Sequence, residues 1–248
     1  MRSKITTAFL LALVFICKTG FSQVSASIAN TGTTVCSGSS QTFTATGSGG
    51  TPPYTYSWAP STGLSSTTAS VVTASPTSTT MYTVTVTDQL SAYGMATVQL
   101  TVYATPTVSA SSNSPVCEGQ TINLTSTTNA SSPSYTWTGP SSFTGYSSTA
   151  NVGAAPSTAG VYTINVLDIP TGCSNFATTN VSVNPQPTVT VNNLSICAGG
   201  SGTLTASGAS SYNWSPATGL SSTFGSSVTA SPSSTTVYSV TGTSAAGC

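Results

Sequence analysis

Beyond residue 18 the chain carries no Lys, Arg or His, and its acids are Asp88, Glu118 and Asp168. That inventory bounds the chemistry. General acid–base catalysis needs a titratable side chain within hydrogen-bond reach of the proton it moves. Ser and Thr are abundant, but no His or Lys stands by to activate one as a nucleophile. Asp88 and Asp168 follow Tyr82 and Tyr162 at the same interval. They thus stand at equivalent places in separate copies of a repeat, where a pair of glycosidase carboxylates within about 10 Å of each other is not expected. Calcium wants 6–8 oxygen ligands, usually with several carboxylates; one acid per copy suits a turn-forming aspartate better. No catalytic residue, metal site or cofactor is expected. Phosphate binding runs on Lys and Arg, so nucleic acid is excluded as a partner.

Two other residue types could do chemistry. Trp58, Trp137 and Trp214 could stack on sugars, but each closes a Tyr-x-Trp triplet on an alternating run. A β-sandwich core requires one such tryptophan per copy. Cys36, Cys117, Cys173, Cys197 and Cys248 include no CxxC pair and have no His to join them, which argues against zinc. In an oxidising compartment they read as disulfide partners.

The elements that carry these residues recur. Cys36, Cys117 and Cys197 mark a near-constant period of about 80 residues, the signature of a copied structural unit. Each precedes an alternating run ("QTFTATG", "TINLTST", "GTLTASG"), and Tyr-x-Trp follows. A further run then opens with Tyr82, Tyr162 or Tyr238, at a spacing from its tryptophan that is constant to within one position. One phrase is written almost identically as "YSWAPSTGLSS" (56–66) and "YNWSPATGLSS" (212–222). A final alternating run, "ATVQLTV" or "ATTNVSV", closes the first two copies, and the third stops at Cys248 before any such run. Strict alternation of branched and hydroxyl residues predicts half-buried strands, and Gly, Pro, Ser and Asn mark the boundaries. About seven short strands per copy, with an inner Trp and a Tyr opening a late strand, predict an all-β chain of tandem immunoglobulin-like sandwiches. The third is expected to be truncated before its last strand.

The N-terminus reads as an export signal. "MRSK" supplies the positive region, residues 8–17 the apolar stretch, and small residues before Gln23 a cleavage site. The expected organisation is a signal peptide at 1–22 and repeats at 23–105, 106–186 and 187–248. No later segment is apolar enough to span a bilayer as a helix. The mature chain is expected to be secreted or held at the cell surface.

The motifs "VCEGQTINLTST", "YNWSPATGLSS" and "VTASPSSTTVYSVTGT", with Gly-Cys at 172–173 and 247–248, complete a resemblance. The chain resembles the immunoglobulin-like and PKD-like repeats of secreted and surface proteins from Bacteroidetes-type bacteria. Such proteins commonly leave by the type IX secretion route and end in a C-terminal sorting domain. The resemblance implies the N-terminal part of a longer array that acts as a non-catalytic spacer, stalk or adhesin segment. Its partners would be adjacent repeats and surface glycans or proteins. Two alternatives stand beside it: a carbohydrate- or protein-binding module whose loops carry specificity, and accessory domains of a secreted enzyme whose catalytic part lies beyond residue 248.

The disulfide pattern has two readings. Within a repeat, Cys117 would pair with Cys173 and Cys197 with Cys248, leaving Cys36 over. In a seven-strand sandwich, however, the first cysteine precedes strand two and the second follows strand six, which runs in the same direction. The two would sit at opposite ends, roughly 20 Å apart, whereas a disulfide needs Cα atoms within about 7 Å. Head-to-tail neighbours would instead pair Cys36 with Cys173 and Cys117 with Cys248, leaving Cys197 for a fourth repeat. Geometry favours the cross-repeat pairs if the strand order holds.

Overall fold

The computed structural model describes residues 23–30, 34–197 and 199–248. The signal peptide expected at 1–22 lies outside them. The chain divides into two compact units, Met1–Tyr103 and Ala104–Cys248. The described residues are all-β apart from two single 3₁₀ turns, Pro140–Ser142 and Pro156–Thr158.

In the first unit seven strands run in order: β1 (Ser25–Ala29), β2 (Thr34–Cys36), β3 (Gln41–Ser48), β4 (Thr55–Ala59), β5 (Val71–Ala74), β6 (Thr80–Thr87) and β7 (Tyr93–Tyr103). They form a sheet β1-β3-β5 and a facing sheet β2-β7-β6-β4. All neighbours are antiparallel except β2 and β7, which run parallel with Cys36 opposite Tyr103. Alternation decides what lies between the sheets. Phe43 and Ala45 of β3, Val72 and Ala74 of β5, Tyr82, Val84 and Val86 of β6, and Val98 and Leu100 of β7 turn inward around Trp58. Each fully buried Val, Leu or Phe contributes on the order of 1.5–3 kcal/mol. Phe43 lies between the rings of Trp58 and Tyr82, 6.3 and 6.0 Å away.

The second unit holds two further cores. Around Trp137 are β8 (Val108–Ser112), β9 (Val116–Cys117), β10 (Thr121–Thr128), β11 (Pro133–Gly139), β12 (Phe143–Gly145), β13 (Thr149–Gly153), β14 (Gly160–Asp168), β15 (Cys173–Val181) and β16 (Val183–Asn184). The sheets are β13-β10-β8 and β12-β11-β14-β15, with β16 continuing the line of β15 in parallel pairing with β9. Around Trp214 are β17 (Thr190–Val191), β18 (Gly202–Ser207), β19 (Ser211–Ser215), β20 (Ser227–Ala230) and β21 (Ser239–Thr243), as sheets β17-β18-β20 and β19-β21. Two facing layers with this strand order make tandem immunoglobulin-like β-sandwiches. The third core is smaller, built on Leu204, Tyr212, Trp214 and Val228.

Hydroxyls do the surface work that charges do elsewhere. Ser27 meets Thr46 at 2.6 Å, Ser111 meets Thr125 at 2.7 Å and Thr190 meets Ser207 at 2.7 Å. Each pair is directly cross-strand, between the first strand of a repeat and the next long one. Opposed Thr and Ser side chains are a recognised stabilising pair on sheets.

The phrase at 56–66 and 212–222 is a strand followed by a crossover to the other sheet. Leu64 bridges Ala74, and Leu220 bridges Ala230. The phenol of Tyr82 donates to the Thr62 carbonyl at 2.7 Å, and that of Tyr238 to the Thr218 carbonyl at 2.7 Å. The glycine of the phrase is required by its backbone. Gly63 has φ +73° and Gly219 φ +77°, and a Cβ on Gly63 would come within 2.8 Å of the Pro76 nitrogen. The middle repeat has no such phrase. It inserts β12 at that place, and Tyr162 donates instead to the nearby Thr158 carbonyl, at 2.8 Å.

Candidate functional site

Four of the residues singled out for chemistry, Asp88, Asp168, Cys173 and Cys248, lie at one kind of place, the turn that follows the tyrosine-bearing strand. In the first unit Asp88 directly follows that strand. Its Oδ2 accepts the Thr51 N–H at 2.8 Å, and its Oδ1 accepts the N–H groups of Leu90 at 3.0 Å and Ala92 at 2.8 Å. In the second unit Asp168 Oδ1 accepts the Ser132 N–H at 3.0 Å and the Ser131 hydroxyl at 2.9 Å, while Oδ2 accepts the Thr171 hydroxyl at 2.9 Å. Both carboxylates are buried. The backbone N–H of Thr51 is the main cause holding Asp88 below the usual carboxylate range, and that of Ser132 does the same for Asp168. Donors that favour the charged form lower a carboxylate pKa. Every donor comes from the turn itself or from the loop packed on it. Each aspartate therefore ties two loops together, with its oxygens already engaged by the protein. Among the described residues no group of three or more His, Cys, Asp or Glu is placed to hold a metal.

Asp168 also sets the position of a cysteine. Its carbonyl accepts the Gly172 N–H at 2.8 Å, and Thr171, bound to its carboxylate, accepts the Cys173 N–H at 3.2 Å. At the corresponding turn of the third repeat, Ser244 does this without charge. Its hydroxyl accepts the Cys248 N–H at 3.2 Å, and its own N–H donates to the Cys248 carbonyl at 2.7 Å.

The turn at 244–248 is covalently attached to the middle repeat. Cys117 and Cys248 form a disulfide with Cα atoms 5.5 Å apart across a sequence separation of 131. Cys248 Sγ lies 3.9 Å from the Asn184 carbonyl, and Asn184 is the residue paired with Cys117 between β16 and β9. That pairing also settles why Cys117 does not bond Cys173. Cys173 opens β15, whereas Cys117 lies opposite Asn184, beyond the far end of β15 on the same line. At the rise of an extended strand, the whole of β15 and β16 holds the two cysteines roughly 36 Å apart. The sequence-based figure was shorter because it assumed a shorter strand. Cys36 and Cys173 are each disulfide-bonded as well, and Cys197 is an exposed free thiol.

The tryptophans sit in the three cores. Trp58, Trp137 and Trp214 are 3%, 0% and 2% exposed. Each indole N–H donates to a carbonyl of the crossover that follows: Ala69, Ser147 and Gly225, at 2.9, 3.0 and 2.9 Å. None of the three indoles presents a face to solvent. Tyr82 and Tyr162 are fully buried and burial pushes both phenols up, whereas Tyr238 is half-buried. Other side chains do face solvent, and sequence reasoning passed over them. The residue before each landmark tyrosine, Met81, Val161 or Val237, is large, apolar and exposed. On the strand beside it Met95 and Phe176 stand out at equivalent positions, opposite Thr85 and Asn165. The signal was available, because both break the polar half of an alternating run.

In the third repeat a cleft of about 670 Å³ is lined by residues 191–197 and 232–236 together with Leu204, Trp214, Ala230 and Tyr238. No ionisable carboxylate or base lines it. Among the described residues no helix is long and apolar enough to cross a membrane.

No protein-family model matches the chain, and no curated protein matches it. Solved structures do. A three-immunoglobulin-domain fragment of titin, an E-to-A mutated variant, aligns at 14% identity and TM-score 0.44 over 85% of this chain and 88% of that one. The three N-terminal domains of the highly immunogenic outer capsid protein of bacteriophage RB49 align at 18% identity and TM-score 0.35, over 86% and 87%. The amphioxus IgVJ-C2 molecule aligns at 12% identity and TM-score 0.30, over 60% and 99%. The assignment to immunoglobulin-like sandwiches rests on the strand order and register above, and the chain is similar to tandem proteins of that architecture.

Proposed function

We propose that the chain is a non-catalytic extracellular array of three repeats, 23–105, 106–186 and 187–248, serving as a spacer or adhesin segment that holds other domains away from a bacterial surface. The leader at 1–22 would export it, and type IX secretion is the route its resemblance implies. The observation that carries this reading is the Cys117–Cys248 bond, which joins neighbouring repeats covalently. A bond between repeats adds little to a module that works alone but fixes the spacing of modules in series. By the same arrangement Cys36 would pair with Cys173, and Cys197 would await a fourth repeat. Asp88 and Asp168 support the reading, since their carboxylates are engaged in holding turns.

A second reading has its own support in the exposed Met81, Met95, Val161 and Phe176, whose repetition suits a binding face for an uncharged glycan or a protein. The test is retention of fluorescently labelled 23–248 on arrays of neutral polysaccharides and matrix proteins. The spacer reading expects no saturable binding. Saturable binding that falls at least tenfold in the Met95→Ser/Phe176→Ser variant, with the thermal midpoint unchanged, overturns it in favour of the binding module.

A further inference from the structure

The Cys117–Cys248 bond changes which residues bear load. Between these two cysteines a pulling force has two covalent routes, a main-chain path with a sequence separation of 131 or a single disulfide. The shorter route goes taut first, and the longer one stays slack while it holds. We infer that the disulfide is a mechanical shunt: for tension applied between Ala104 and Cys248, residues 118–247 carry no load while the bond is intact. In the second unit, load entering at Ala104 reaches only β8 and β9 before leaving through sulfur to Cys248.

The strands that remain on the load path are weakly placed to resist it. β8 is held to β10 by five paired positions, and β9 to β16 by two. Peeling both frees the segment 104–117, roughly 50 Å of extended chain. The cores around Trp137 and Trp214 are otherwise unloaded, so they neither unfold nor lengthen the array. Without the bond the same tension runs through both cores, and unfolding the sequence separation of 131 adds about 470 Å. The segment from Ala104 to Cys248 thus has nearly fixed length when oxidised and becomes extensible when reduced. Reduction by a dithiol adds two electrons and two protons to the cystine, giving two thiols, while the dithiol closes to its own disulfide.

This inference deepens the spacer reading and rests on it for its use, but its test reads the covalent path alone. A click-reactive residue replacing the exposed Ala104, with a second handle after Cys248, lets the full chain be stretched by single-molecule force spectroscopy. Attachment at 104 makes the result independent of whatever Cys36 and Cys173 bond. The oxidised chain is expected to release no more than about 50 Å, and dithiothreitol to add about 470 Å. The Cys248→Ser variant is expected to behave as the reduced chain does from the outset. Release of several hundred ångströms before reduction, or equal lengths with and without dithiothreitol, overturns the shunt. Glycan retention on the arrays with the length limit intact would overturn the spacer reading and leave the shunt standing.

Discussion

Asp88 and Asp168 show how a residue suited to chemistry can serve structure instead. Each carboxylate receives three hydrogen bonds from the loops it joins. Both carboxyls are held below the usual carboxylate range, chiefly because backbone N–H groups of Thr51 and Ser132 stabilise the anion. A lowered folded pKa contributes stability that is complete above the unfolded value and is lost as pH falls through the folded one. The thermal midpoint of residues 23–248 is therefore expected to be level above the ordinary carboxylate range and to fall as the pH drops through and below it. The Asp88→Asn/Asp168→Asn double variant should start lower and show a shallower acid decline. An unchanged acid limb would mean that the carboxylates do not couple to folding. The tryptophans are a plainer case. Trp137 is fully buried and hydrogen-bonded, so Trp137→Ala should cost its repeat about 3–5 kcal/mol in denaturant unfolding. A loss below about 1 kcal/mol would be incompatible with a core role.

At the scale of elements, the repeated phrase is a turn locked by a distant tyrosine. Tyr82 and Tyr238 reach far back along the chain to Thr62 and Thr218, whereas Tyr162 reaches back barely one turn to Thr158. Tyr82→Phe leaves the Thr62 carbonyl without that donor, and a loss of about 1 kcal/mol is expected by chemical denaturation. Gly219→Ala is expected to be worse than a loss of flexibility alone. It places a Cβ 3.0 Å from the Pro232 Cα in a left-handed backbone, a combination that strains a non-glycine residue. Amide exchange should then rise first at β20 and its crossover, which Gly219 anchors through the Ser231 N–H at 2.7 Å. Exchange that rises uniformly through the third repeat would contradict this local role.

For the whole molecule, the near-absence of charge has a direct consequence for proteolysis. Trypsin cuts after Lys and Arg, and none occurs past residue 18. The exported protein after leader cleavage, boiled and reduced, should therefore survive trypsin intact, as read by mass spectrometry. Discrete tryptic fragments would show that the leader is retained or the sequence misread. Chymotryptic mapping without reductant should yield one peptide pair joining Cys117 to Cys248. A Cys117–Cys173 pair would contradict the separation that β15 and β16 impose between those two cysteines.

The sequence by itself determined the all-β class, the threefold repeat and the landmark positions, because strand alternation is a local property with a period of two. Phe43, Ile122 and Leu204 announce their inward face through their immediate neighbours alone. The sequence also bounded the chemistry, since a residue type that is absent cannot act. Only the tertiary structure decided how far Cys117 lies from Cys173. That distance depends on the length of β15 and on the parallel pairing of β9 with β16, a contact between segments remote in sequence. It likewise decided that the middle repeat replaces the glycine turn with β12 and a tyrosine bond that spans fewer residues. Met95 and Phe176 stood out in the sequence as breaks in the polar half of an alternating run, but their places opposite Thr85 and Asn165 were decided by strand register, which local alternation does not fix.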